Sequence, residues 1–69
     1  HIAQGMKNVA RSTGGWYNLP EDQREALDMI FSKIARQING AKDYPDNFHD
    51  IAGYATLAEQ EILSQLREK

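Results

Sequence analysis

The sequence predicts an all-α fold, a small helical bundle made of two long antiparallel helices and a short N-terminal helix. Apolar residues recur at intervals of three and four positions in three segments, which is the spacing of one helix face. Two glycine-containing breaks, Thr13-Gly14-Gly15 and Asn39-Gly40, separate these segments. No segment alternates as a strand does. We therefore expect one helical domain over the 69 residues, with helices at about 2–12, 20–39 and 44–67.

The N-terminal helix is short and ends at the first glycine-containing break. Its apolar positions, which share one side of a helix, are Ile2, Met6, Val9 and Ala10. The single tryptophan, Trp16, follows the break. We expect this helix and Trp16 to close one end of the bundle.

The second helix is predicted to begin at Pro20, because a proline in the first turn loses no backbone hydrogen bond. Glu21 and Asp22 complement the positive end of the helix dipole. Asn39-Gly40 supplies a left-handed stop. The apolar stripe of this helix is Leu27, Ile30, Phe31, Ile34 and Ile38.

The third helix is predicted to begin at Asp43 as its N-cap, with Asp46 three residues later in an arrangement like a capping box. Its apolar stripe is Phe48, Ile51, Ala55, Ala58, Ile62 and Leu66. We expect this stripe to be the core side. Because a short turn joins the two long helices, they should form an antiparallel hairpin.

The composition limits the classes of function. A domain of this size buries only about 60% of the surface of its unfolded chain, and without cysteine it has no disulfide or thiolate metal site. We therefore expect a homo-oligomer. The net charge of −2 does not favour binding to nucleic acid. No apolar run approaches the roughly 20 residues of a membrane span, so a cytoplasmic protein without a membrane segment is expected.

The first residue is a histidine, not a methionine. This predicts either a processed chain or a domain of a longer protein. Residues before His1 could then contribute to a site.

Two aspartates lie one turn apart near the start of the third helix, on the side opposite its apolar stripe. Asp46 and Asp50 can point at the same spot, as the first two ligands of a magnesium site would. Alternatively they complement the helix dipole and cap the helix. On the second helix, Asp28 could face Asp50 across the hairpin and complete an acidic cluster, or pair with a lysine.

Other polar and small residues suggest a contact surface. Glycine in mid-helix costs about 1 kcal/mol relative to alanine, so Gly53 indicates either a close approach by another group or a tolerated surface position. With Tyr54 and Leu57, it forms our predicted partner interface. Lys33 and Arg36 could neutralise a phosphate or serve as dipole partners at the end of their helix.

Three runs carry a family resemblance: Glu25-Ala26-Leu27-Asp28-Met29-Ile30, then Lys33-Ile34-Ala35-Arg36, then Asp46-Asn47-Phe48-His49-Asp50-Ile51-Ala52-Gly53-Tyr54-Ala55. The stretch that contains them, from Arg24 to about Glu61, resembles a domain of unknown function that recurs in tailed-phage and prophage proteins. Such an origin implies the cytoplasm of a bacterial host.

That phage domain is in turn distantly similar to the all-α nucleoside triphosphate pyrophosphohydrolases of the MazG and dimeric dUTPase group. The resemblance implies a magnesium cofactor held by acidic residues on two adjacent helices. Glu25 and Asp28 would be the ligands on one helix, and Asp50 with Asn47 or Asp46 on the other. Lys33 and Arg36 would then face phosphate.

Two hypotheses about function follow. The first is a phage-type helical domain that self-associates through Gly53, Tyr54 and Leu57 and carries a magnesium-dependent site for nucleotide binding or pyrophosphohydrolase-like activity. The metal ligands of that site would be Glu25, Asp28, Asp46 and Asp50. The second is a non-catalytic interaction module that binds a phage or host protein by docking a helix in a groove.

Overall fold

The computed structural model describes residues 1–68, and that part of the chain contains four α-helices and no strand. The helices are α1 (Ile2–Arg11), α2 (Gly14–Asn18), α3 (Glu21–Ile38) and α4 (Asp46–Arg67). The all-α prediction is confirmed, and α1, α3 and α4 match the three predicted helices to within two residues at each end. The five-residue α2 was not predicted, because its glycines indicated only a break.

The start of α4 differs from the prediction. Pro45, not Asp43, occupies the N-cap position, and no side chain caps the helix. The backbone amide of Tyr44 donates to the carbonyl of Ala41 over 2.9 Å, so Asp43 lies inside a preceding turn. Pro45 has a helical φ of −73°, which suits a helix start because the proline ring fixes that angle. The predicted capping role of Asp43 is therefore wrong.

The two long helices pack against each other in antiparallel fashion. Asn47 near the start of α4 meets Gln37 near the end of α3, and Asp50 meets Lys33 one turn further along. The connection passes through Gly40, whose φ of +125° suits only glycine. This residue provides the left-handed stop predicted at Asn39-Gly40. The hairpin is confirmed.

The helices form a single layer. Helix α3 lies between α4 and α1, and α1 in turn contacts α2. The molecule measures 44 × 28 × 10 Å, and its smallest dimension is about the diameter of one helix. Its accessible surface of 5109 Å² exceeds the roughly 4,400 Å² expected for a compact monomer of this mass. No helix in residues 1–68 is long and apolar enough to cross a membrane.

The core within this layer is small. Ala3, Trp16 and Ala35 are the buried apolar residues, and Asn47 is the one buried polar residue, among those described. Phe48, which we expected in the core, is 61% exposed. The side of α4 that meets α3 is centred on Asn47 and includes only Ile51 and Ala58 of the predicted stripe, both half-buried. Since a helix turns about 100° per residue, Phe48 is directed about a quarter turn away from α3.

Candidate functional site

Two of the four predicted metal ligands, Asp28 and Asp50, form separate ion pairs with different partners. Oδ2 of Asp28 lies 3.1 Å from Nη2 of Arg11, and Oδ2 of Asp50 lies 3.0 Å from Nζ of Lys33. Asp46 is exposed in the first turn of α4, and Glu25 is exposed on α3. Within residues 1–68, no group of three or more histidine, cysteine or acidic side chains is arranged to hold a metal ion.

The two predicted phosphate-binding residues also have different surroundings. The ammonium of Lys33 reaches across the hairpin to Asp50, and the lysine side chain is only 15% exposed. Arg36 is exposed in the last turn of α3, where a cation favours the negative end of the helix dipole. The structure thus places Lys33 in an ion pair between the long helices.

The start of α4 holds a second polar contact. Hydrogen bonding to Asp46 and the negative charge of its carboxylate raise the pKa of Tyr44 above its usual 10.0. Tyr44 therefore stays protonated to higher pH than a free tyrosine. This contact involves the carboxylate that the sequence also suggested as a metal ligand.

Asn47 is a site residue that sequence reasoning assigned only as a possible metal ligand. It is 2% exposed, and its side-chain amide donates to Oε1 of Gln37 at 3.4 Å. A signal was available in the sequence, because Asn47, Tyr54 and Ala58 recur at helical spacing. That row and Ile51, which are buried or half-buried, face α3, whereas Phe48 and Leu66 of the predicted stripe do not.

The contact between α1 and α3 is formed by charged and aromatic groups. The Arg11 guanidinium pairs with Asp28 and lies 5.9 Å from the centre of the Trp16 ring. Trp16 stacks on Phe31 with ring centres 6.5 Å apart and 26° between their planes. Oδ1 of Asp28 is buried and has no hydrogen-bond partner within residues 1–68. Trp16 is thus buried where α1 and α2 meet the middle of α3.

A groove runs between the first half of α3 and the second half of α4, with a volume of about 540 Å³. We call it the acidic groove. Its walls are mainly apolar and consist of Ala26, Met29, Tyr54, Leu57 and Ala58. Its rim is polar and consists of Asp22, Glu25, Glu61 and Gln65. Two residues of the predicted partner interface, Tyr54 and Leu57, therefore lie in this groove.

Gly53, the third residue of the predicted interface, lies in the next depression, beside Tyr54 and Leu57. A Cβ added at Gly53 would meet no atom within 4 Å. No group within the described chain therefore approaches this glycine closely. The close approach that its mid-helix position suggested has to come from another molecule, or the glycine is simply tolerated.

The opposite side of the layer is apolar, and we call it the apolar face. We assign its residues by helix geometry: on each long helix they lie about a quarter turn around the helix axis from the residues that contact the other long helix. Its members are Leu27, Ile34 and Ile38 on α3 and Phe48, Ala55, Ile62 and Leu66 on α4. Ile38, Phe48 and Leu66 are each about 60% exposed. Seven of the eleven residues of the two predicted core stripes thus lie on one surface. The other four, which are half-buried at the helix contacts, are Ile30, Phe31, Ile51 and Ala58.

Comparisons with protein-family models, with curated proteins and with solved structures found no match to this chain. The resemblance to the phage domain and to the MazG-like pyrophosphohydrolases therefore stays a prediction from short motifs.

Proposed function

We propose that this chain is a non-catalytic protein–protein interaction module that forms half of a helical bundle, the other half being a second copy. The observation that supports the proposal is the apolar face, where Ile38, Phe48, Ile62 and Leu66 of the two long helices are exposed on one side of the layer. Domains are normally built from two packed layers that enclose their apolar surfaces. This chain provides only one such layer, so a second layer is needed to cover its apolar face.

The dimensions of the layer suit such a pairing. A side of 44 × 28 Å offers on the order of 1,000 Å², and a standard protein interface needs about 800 Å² from each partner. Large apolar patches on monomeric proteins usually mark interaction sites. Burying Phe48, Ile62 and Leu66 would supply apolar area that the small core lacks.

A second copy is a suitable partner because α4 is nearly self-complementary on this side. Ala55 lies midway between Phe48 and Ile62 in the sequence. If two α4 helices cross in antiparallel fashion at Ala55, Phe48 of one copy meets Ile62 of the other, twice. A two-fold interface pairs one patch with itself in this way. The small side chain of Ala55 lets the two helices approach closely.

Sedimentation equilibrium tests the proposal with a matched pair of variants. The native chain should be dimeric at micromolar concentration. Phe48→Glu/Ile62→Glu should weaken association at least about 100-fold, because charges would be buried at the centre of the interface. Leu57→Glu changes a leucine on the other side that is about as exposed as Phe48, and it should leave the dimer intact.

A native chain that stays monomeric at about 0.1 mM, or a Leu57→Glu variant that dissociates as readily as the double variant, would contradict the proposal. Circular dichroism would establish that each variant is helical. Since Phe48 is already exposed in the single layer, Phe48→Gln provides a milder variant if the double substitution unfolds the chain.

The magnesium–nucleotide hypothesis is a second, separate proposal, and the Lys33–Asp50 pair is the observation that favours it. Asp46 lies one turn before Asp50, so a cation binding to both carboxylates would release the Lys33 ammonium toward a phosphate. NMR titration with a nucleoside triphosphate and magnesium tests this. Unchanged signals of Glu25, Asp28, Asp46 and Asp50 at millimolar nucleotide would contradict it.

A further inference from the structure

The acidic groove is a second surface, on the opposite side of the layer from the apolar face. Its walls include Met29, which is 40% exposed, and Leu57, which is 65% exposed. Along α4 it extends from Tyr54 to Gln65, which at 1.5 Å per residue is about 16 Å. This length accommodates about three turns of another helix.

The charges at this groove have one sign. Asp22, Glu25 and Glu61 line it, and no basic side chain does. Within residues 1–68, none of these three carboxylates forms a salt bridge. Glu25 also lines the neighbouring depression, which contains Arg11 and Arg24. The groove therefore combines apolar walls with a negative rim whose carboxylates form no salt bridge within residues 1–68.

We propose that the acidic groove binds an amphipathic helix of another protein whose polar side is basic. Apolar side chains of that helix, spaced three and four residues apart, would contact Met29 and Leu57. Lysine or arginine side chains on its flanks would pair with Asp22, Glu25 and Glu61. Interfaces select partners by such complementary charge.

The same charges disfavour a second copy in this groove. If two grooves faced each other, six carboxylates would come together, and like charges across an interface are unfavourable. The groove would also stay open in the dimer proposed above, because that dimer uses the other side of the layer. The two surfaces are thus independent, and each copy would offer one groove.

A pair of model peptides tests the proposal. One is a 14-residue helical peptide with leucines on one side and lysines on the other, and its matched control has glutamate in place of every lysine. Fluorescence anisotropy should give at least about tenfold tighter binding of the lysine peptide. NMR should show the largest shifts at Met29, Tyr54 and Leu57. The Phe48→Glu/Ile62→Glu variant should bind equally well, which separates this proposal from dimerisation.

Charge reversal gives the decisive comparison. Glu25→Lys/Glu61→Lys should reverse the preference, so that the glutamate peptide binds more tightly than the lysine peptide. Asp43→Lys/Glu68→Lys changes the net charge by the same amount outside the groove, and it should keep the original preference.

Several results would overturn the proposal. These are equal binding of the two peptides, no binding at millimolar concentration, or shifts centred on Phe48 and Ile62. Spermidine, which is cationic but lacks an apolar side, should displace the lysine peptide only weakly. Displacement at equal concentration would mean that the groove responds to charge alone, and would also overturn it.

Discussion

The apolar face and the acidic groove are formed by the same two helices, yet they present different chemistry. On the apolar face, Ile34 of α3 lies beside Phe48 and Ile62 of α4, and helix geometry places one charged residue, Glu59, at its outer edge. On the other side, Met29 and Leu57 are flanked by three carboxylates. A mainly apolar surface can be covered by its own copy, whereas a strongly charged one favours a partner of opposite sign.

The difference arises from the residues at the contact between α3 and α4. The Lys33–Asp50 ion pair and the Asn47–Gln37 hydrogen bond span that contact. Because polar pairs lie between the helices, their apolar stripes are turned to one side. A hairpin with this arrangement has a surplus of apolar surface on one side and of charge on the other.

The largest predicted effect concerns the apolar face. Because a dimer is stabilised by mass action, a hundredfold rise in protein concentration should raise the unfolding temperature by about 5–10 °C. Thermal unfolding followed by circular dichroism measures this. In Phe48→Glu/Ile62→Glu the unfolding temperature should not depend on concentration. If the unfolding temperature of the native chain and of this variant depended equally on protein concentration, the apolar face would not be the dimer interface.

The response to salt sharpens the comparison further. Raising sodium chloride from about 0.05 to 0.5 M should weaken binding of the lysine peptide to the acidic groove by about five- to tenfold, because salt screens exposed charges. Dimerisation through the apolar face should change by less than about twofold, because the residues proposed to meet at its centre, Phe48, Ala55 and Ile62, are uncharged. Fluorescence anisotropy and sedimentation measure the two constants. Equal salt dependence would contradict the assignment of charge to one side only.

A smaller effect is expected at Gly53, on the groove side of α4. Gly53→Ala should raise the free energy of unfolding by about 0.5–1 kcal/mol, because alanine is the better helix former and the added Cβ meets open space. Urea unfolding measures it, with Gly5→Ala in α1 as the matched control, since Gly5 is also open. A loss of stability at Gly53 alone would indicate that another molecule approaches it in the folded protein.

The smallest effect concerns Tyr44, near the Phe48 end of the apolar face. Its pKa should exceed 10.0 because of Asp46, and Asp46→Asn should lower it toward that value. A raised pKa favours the protonated phenol in the folded state, so this contribution to stability is present below about pH 10 and is lost as pH rises through the raised pKa. Ultraviolet absorbance of the phenolate measures it. An unchanged pKa in Asp46→Asn would rule out this cause.

The helices could be predicted from the sequence because their signals are local. Each signal acts within a few positions of the chain. The signals are Pro20, the Asn39-Gly40 stop and the spacing of the apolar residues. The short α2 was missed because Gly14 and Gly15 are poor helix formers. The short α2 contains the buried Trp16. Its burial depends on tertiary packing, which local helix propensity does not report.

The orientation of α4 could not be predicted in the same way. Its apolar stripe suggested a core side at Phe48 and Ile62, but the partners of Asn47 and Asp50 lie on α3, ten and seventeen positions away in the sequence. The pairing of Asp28 with Arg11 likewise depends on where α1 packs. The expected acidic cluster therefore became two ion pairs and two exposed carboxylates.

Trp16 gives the protein an internal optical reporter. It is the single tryptophan, it is 6% exposed, and it lies where α1 and α2 meet α3, away from both the apolar face and the acidic groove. Local opening of α1 would hydrate the indole and shift its emission to longer wavelength while the α3–α4 hairpin stays helical. Emission wavelength and helical dichroism, recorded on one sample, would then separate the detachment of the N-terminal segment from the melting of the hairpin.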